Sequence, residues 1–156
     1  MESNVNPVKS ILWLAKYATK IYTSYQKSET FFDPISIFKL NCLGNPIRKE
    51  ILNSPSREEA IKKFNINLKF KTIFIFGGSL GARSINYAVE KYLDEFAKMQ
   101  VNIIWQTGKN YVTPTNVPEN VIITEFIDDM DTAYSASDLV VARSGATTIA
   151  ELAVLG

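Results

Sequence analysis

Residues 71–83 read KTIFIFGGSLGAR, and their order of residue types decides the fold. An apolar run, Thr72-Ile73-Phe74-Ile75-Phe76, breaks at once into Gly77-Gly78-Ser79-Leu80-Gly81, and a helical pattern follows. That is a strand, a glycine turn and a helix. The first turn of a helix leaves backbone N–H groups without intrahelical acceptors, at the positive end of its dipole. Glycines let a bulky anion approach such a backbone, and Ser79 adds a hydroxyl. Residues 77–83 are therefore a candidate phosphate-binding turn. The competing reading is a tight strand-to-helix connection whose glycines serve backbone geometry alone.

Working downstream, helix and strand patterns alternate. Ile85, Ala88, Val89, Tyr92, Leu93 and Phe96 recur at three- and four-residue spacing, which predicts a helix. Strands are expected over 101–106, over 121–124 extending to Phe126, and over 139–142. Asp128 is expected to cap a short helix around Met130, Ala133 and Tyr134. A last helix begins near Thr147. This alternation predicts an α/β fold, a parallel sheet with helices on both faces. Ligands of such sheets bind beyond the carboxyl ends of the strands. Residues 77–83, 126–130 and 143–151 are expected to share that edge.

Upstream, Asn6-Pro7 opens a helix carrying Ile11, Leu12, Leu14, Ala15, Ala18 and Ile21 on one face. Trp13 with Lys9, Lys16 and Lys20 also admits a membrane-surface reading. The broad apolar face and the few basic residues favour packing on a core. Residues 22–38 read as loops and short strands. Residues 38–43 form a candidate buried strand, with Cys42 expected buried and inert, before the turn Gly44-Asn45-Pro46. Residues 47–52 suggest one short helix. Ser56-Arg57-Glu58-Glu59 is a capping box opening another, with Ala60, Ile61 and Phe64 on one side.

The totals narrow the classes. A length of 156 residues suits one domain, or one and part of another. A net charge of +1 argues against nucleic acid. One cysteine excludes an internal disulfide and a cysteine metal cluster, and the absence of histidine removes the commonest base and metal ligand. No metal or cofactor is expected. With no signal peptide and no spanning apolar run, the setting expected is cytoplasmic. Both ends are abrupt, so a piece of a longer protein is expected.

Two nucleotide motifs fail. In G-x-G-x-x-G, Gly78 and Gly81 fit but Phe76 stands where the first glycine belongs, and no acid ends the second strand. Gly108-Lys109 is followed by Asn110, and Ile103 stands where a P-loop needs its first glycine. Glu151, one turn into a helix that starts Gly145-Ala146-Thr147-Thr148, can accept hydrogen bonds from both hydroxyls of a ribose. It can equally serve only the helix dipole.

GGSLGARSIN, IIWQTGK, TEFIDDM and SDLVVARSGATTIAEL, preceded by GNPIR and by ESN at residues 2–4, together resemble the MurG family of peptidoglycan glycosyltransferases. The order and rough spacing of these short motifs make the resemblance specific, and it runs from about residue 2 to the end. It implies two Rossmann-like domains with the active site between them, the GT-B fold. Residues 1–45 would be the tail of the N-terminal acceptor domain, and residues 46–156 a truncated C-terminal domain binding the UDP-sugar donor. It implies transfer of N-acetylglucosamine from UDP-N-acetylglucosamine to lipid I, with inversion, on the inner face of the plasma membrane beside other cell-wall synthesis enzymes. By motif position, Gly78, Ser79 and Gly81 would hold the diphosphate, and Arg48 would contact the donor from the linker. Ile127 would set its backbone against the uracil. Ala146, Thr147, Thr148, Ile149, Ala150 and Glu151 would line the nucleotide, with Glu151 on the ribose. Asn4 would lie near the transferred sugar. The family's histidine before Glu2 is Met1 here, and its glutamine is Ser3. The acceptor-binding glycine loops and the sugar-reading glutamine pair are absent, so the chain alone is expected to be inactive. The alternatives are another UDP-sugar transferase of this fold, such as a diacylglycerol glycosyltransferase, a non-catalytic UDP-binding subunit, and an unrelated parallel α/β binding module.

Overall fold

The computed structural model describes all residues, 1–156. The chain divides into two compact units, Met1–Arg48 with Gly145–Gly156, and Lys49–Ser144.

The second unit is built on four parallel strands. The 3-10 turn Lys49–Asn53 leads to α3 (Arg57–Phe64), and then β3 (Lys71–Phe76) starts the sheet. After it come α4 (Arg83–Lys91), α5 (Leu93–Lys98), β4 (Val101–Gln106), β5 (Val121–Thr124), α6 (Met130–Ala136) and β6 (Leu139–Ala142). The strand order is β5-β4-β3-β6, every pair parallel. The alternation along β3 explains its two-sided burial. Ile75 packs with Ile103, Trp105 and Val121 under Val89 of α4 and Leu93 of α5. Phe74 and Phe76, pointing the other way, meet the Tyr134 ring of α6 at centroid distances of 5.8 and 6.2 Å. The expected parallel α/β sheet, with helices on both faces, is thus present.

Local signals are obeyed with two adjustments. The capping box of α3 forms as expected: the Ser56 hydroxyl accepts from Glu59 N–H, and the Glu59 carboxylate accepts from Ser56 N–H. The helix expected over residues 85–96 is broken at Tyr92, whose φ of −110° and ψ of 17° leave the α region. At α6 the cap position belongs to Asp129 and not to Asp128. The Asp129 carboxylate makes no bond to the helix, because it is engaged by Lys63 Nζ at 2.6 Å.

The first unit is small. It comprises α1 (Lys9–Ala15), β1 (Ile21–Thr23), the 3-10 turn Gln26–Phe31, α2 (Pro34–Ile37), β2 (Leu40–Cys42) and α7 (Ala146–Leu155). Strands β1 and β2 pair in parallel over three residues. Its apolar cluster is Ala15, Ile21 and Phe32, with Ile11, Leu12, Ala18 and Leu40 against it. The predicted helix ends earlier than its periodicity suggests, so Ala18 and Ile21 reach the cluster from a turn and from β1. Leu14 stays 50% exposed, contrary to its place on the predicted apolar face. Strand β2 exists, but it is not buried, and Cys42 is exposed. A ladder of three residues with one partner strand has too little covering it to bury both of its ends.

Candidate nucleotide-binding residues

The topological switch point of the sheet lies between β3 and β6, since the chain runs from β3 outward through β4 and β5 before returning to β6. The turn after β3 and the residues after β6 flank it, which is where open parallel sheets bind ligands. Gly78 (φ +88°) and Gly81 (φ +77°) adopt the left-handed backbone that glycine permits. Gly81 N–H donates to the Gly78 carbonyl at 3.0 Å and closes the turn, with Ser79 exposed at its apex. Helix α4 follows from Ala82, which offers no side-chain cap, so the first N–H groups of the helix keep the open character expected from the sequence.

Part of the glycine requirement is geometric, as the competing reading held. A Cβ on Gly81 would stand 2.0 Å from the Thr107 carbonyl oxygen, and one on Gly108 would stand 2.3 Å from Gly81 N. The two turns touch backbone to backbone. Gly78 differs: a Cβ there would meet only the guanidinium of Arg143, at 2.9 Å. Arg143 follows β6, so a cation lies against the turn at the switch point.

Two buried amides hold this arrangement. Gln106, at the end of β4, is 2% exposed. Its Nε2 donates to the Gly78 carbonyl at 3.1 Å, and its Oε1 accepts from Ile127 N–H at 2.9 Å. One side chain therefore ties the glycine turn to the segment after β5. Ile127 is buried, and with its N–H taken by Gln106 the carbonyl is the backbone group it can offer. Asn86, in the first turn of α4, donates to the Thr107 carbonyl at 2.8 Å and accepts from Trp105 Nε1 at 3.1 Å. The sequence places Arg143 in the segment 143–151 expected at the ligand edge, but it gives no role to Gln106 or Asn86. The sequence signal for Gln106 is a polar residue closing an apolar strand.

In the first unit, the GNPIR segment runs along α7. Asn45 accepts from the Ser24 hydroxyl at 2.5 Å, and its Nδ2 donates to the Ala146 carbonyl at 3.4 Å. Arg48 Nη1 donates to both oxygens of Glu151 at 3.1 Å. Glu151 is buried, while Thr147 and Ile149 in the first turn of α7 are exposed and Ala146, Thr148 and Ala150 are half-buried. Gly145 caps α7 without a side-chain hydrogen bond. Asn4 is exposed, and its Nδ2 and backbone N–H both donate to Glu2 Oε1. The Glu2 carboxylate also receives Val8 N–H at the start of α1, so it fixes Asn4 beside that helix.

The model of the glycosyltransferase family 28 C-terminal domain matches residues 72–156. The UDP-N-acetylglucosamine–N-acetylmuramyl-(pentapeptide) pyrophosphoryl-undecaprenol N-acetylglucosamine transferase of Flavobacterium psychrophilum is 42% identical over 159 residues, 99% of this chain and 42% of that protein. The enzyme of the same name from Parabacteroides distasonis is 42% identical, over 92% of this chain and 40% of its own length. The crystal structure of Acinetobacter baumannii MurG superposes with a TM-score of 0.56 at 26% identity, covering 97% of this chain and 41% of that one. The chain thus spans about two fifths of the length of the curated relatives it matches.

Proposed function

The chain belongs to glycosyltransferase family 28, and on that premise we propose that it supplies the donor-binding part of a transferase that moves N-acetylglucosamine from UDP-N-acetylglucosamine to lipid I, forming lipid II. The observation that carries this reading is the identity of 42% along 99% of the chain to a transferase whose name states that reaction. The geometry at the sheet's switch point supports it independently.

In this reading residues 1–45 derive from the acceptor domain and residues 46–156 from the donor domain. Gly78, Ser79 and Gly81 receive the diphosphate, with the open start of α4 behind them. The Ile127 carbonyl faces the uracil, held in place through Gln106. Glu151 takes the ribose hydroxyls, residues 146–150 line the nucleotide, Arg48 contacts the donor from the linker, and Asn4 lies near the sugar. The acceptor hydroxyl attacks the anomeric carbon from the face opposite UDP, the glycosidic bond forms as the bond to the diphosphate breaks, and the configuration inverts. Negative charge builds on the leaving diphosphate, where preorganised N–H groups and cations stabilise it. The acceptor named for the relatives is linked to undecaprenol, a lipid, so the reaction belongs at a membrane surface. No helix of this chain is long and apolar enough to cross a membrane.

An amide NMR titration with UDP, with NAD as control, tests the reading. Shifts at 77–83, 126–130 and 145–151 with UDP alone are expected, and dispersed spectra that ignore UDP would overturn it. Glu151→Ala should weaken UDP binding by about 1.5–3 kcal/mol, the worth of a hydrogen bond to a charged group. Unchanged affinity in that variant would remove Glu151 from the site.

A further inference from the structure

The Arg48–Glu151 pair differs from the other ion pairs of the chain. Those have both partners at least 22% exposed, as at Lys63–Asp129, Arg57–Asp138 and Lys71–Asp138. Here the Glu151 side chain is 1% exposed, and the Arg48 side chain paired with it is 46% exposed. One nitrogen, Nη1, stands 3.1 Å from both carboxylate oxygens. Arg48 therefore sits over Glu151, with its side chain partly in solvent. Its backbone belongs to a segment anchored three residues earlier, where Asn45 bonds to Ser24 and to Ala146. Swinging the guanidinium away is thus a side-chain rotamer change about a fixed main chain, which is fast.

This placement conflicts with the simplest form of the donor site. A ribose diol that donates to Glu151 needs the carboxylate edge on which Nη1 rests. We propose that Arg48 is an exchangeable counter-ion, displaced from Glu151 by the ribose diol and received by the diphosphate of the same nucleotide. The inference rests on the donor-site reading and goes beyond it by coupling two subsites through one arginine. The phosphates hang from the same sugar ring as the diol, so both exchanges occur within one ligand. Every charged group keeps a partner: the buried carboxylate trades a guanidinium for two hydroxyl donors, and the guanidinium trades a carboxylate for a phosphate, for which its planar fork is equally suited. A nucleoside supplies the diol but no anion. It must break a charge-assisted pair over a buried carboxylate and leave the arginine without a partner. Arg48 is then a specificity-determining residue that selects nucleoside diphosphates over nucleosides, through a penalty on the nucleoside as well as an attraction for phosphate.

The test compares uridine, UDP and inorganic pyrophosphate by calorimetry or NMR. In the unaltered chain, saturating pyrophosphate should tighten uridine binding several-fold, because it receives the displaced guanidinium. By linkage, uridine should tighten pyrophosphate binding by the same factor. In Arg48→Met, UDP binding should weaken by about tenfold or more, the scale of a lost charged hydrogen bond. Uridine binding should strengthen in that variant, and its response to pyrophosphate should vanish. If pyrophosphate leaves uridine affinity unchanged or lowers it, or if Arg48→Met binds uridine no better than the parent, Arg48 does not guard Glu151 and the exchange is overturned while the donor site stands. If the parent chain binds neither UDP nor uridine, the donor-site reading falls and the exchange falls with it. The pyrophosphate experiment needs no substitution, so it decides the matter even if the variant fails to fold.

Discussion

Gly81 carries two constraints at once. Its φ of +77° is strained for any residue with a Cβ, and that Cβ would stand 2.0 Å from a backbone oxygen that has no flexible end to yield. Gly81→Ala should therefore destabilise the chain by at least ~1–3 kcal/mol, the usual cost of forcing such a backbone. Urea unfolding followed by fluorescence of Trp105 and Trp13 would measure it. A change within ~0.5 kcal/mol, the range of ordinary surface substitutions, would mean the two turns part freely. Gly78 has the same hand of backbone but faces only the movable end of Arg143. The same pair of letters in the sequence thus hides a packing glycine and a glycine beside a cation. Gln106 and Asn86 show how buried amides act at this scale: each bonds from both its donor and its acceptor end, so truncating either strands the groups it served.

Among the elements, the start of β6 is held by Asp138. Its carboxylate accepts from Lys71 Nζ at 2.7 Å, Thr72 N–H at 2.8 Å and Arg57 Nη2 at 2.7 Å, linking β6 to β3 and α3. Burial alone would push its pKa up, but the hydrogen bonds from Lys71, Thr72 and Arg57 and the charge of Arg57 hold it down at about 2. An unperturbed aspartate titrates near ~3.9. The folded value lies below the unfolded one, so the folded chain binds fewer protons. The contribution is full above about pH 4 and is lost as the pH falls to about 2. Asp138→Asn should accordingly be less stable than the parent at pH 6, with the gap closing between pH 4 and pH 2. A gap independent of pH would show that the carboxylate is not held ionised. Because Lys71 is 78% exposed, its share should weaken with added salt. On the same strand Leu139 and Val141 remain 55% and 41% exposed, and they line an apolar cavity of about 420 Å³ with Ile73, Ile75 and residues of α4 and α5. Apart from Ser84 and Tyr92 its lining is apolar and carries no charged group, so it does not compete with the glycine turn as a nucleotide site.

Across the whole molecule the two units differ in how their hydrogen bonds are protected. Strands β3 and β4 pair over six residues, with Phe74, Ile103, Ile104 and Trp105 fully buried, whereas β1 and β2 pair over three residues beside a cluster of three buried side chains. Amide hydrogen exchange should be slowest at residues 74–76 and 103–105 and faster by orders of magnitude at residues 21–23 and 40–42. Equal protection in both sheets would show that the units open as one. Much of this architecture was legible beforehand. The apolar run ending in glycines, the alternation of periods, the capping box of α3 and the strand ends at Gln106 and Ala142 are local, because backbone hydrogen bonding and side-chain period act between near neighbours. The sequence by itself therefore determined the parallel α/β class, the glycine turn and the family. Only the tertiary structure decided the strand order, the exposure of Cys42 and Leu14, the ties made by Gln106 and Asn86, and the pairing of Arg48 with Glu151 across 103 residues. Such contacts join residues far apart in the chain, whose meeting depends on how the elements pack, and packing leaves no period in the sequence to read.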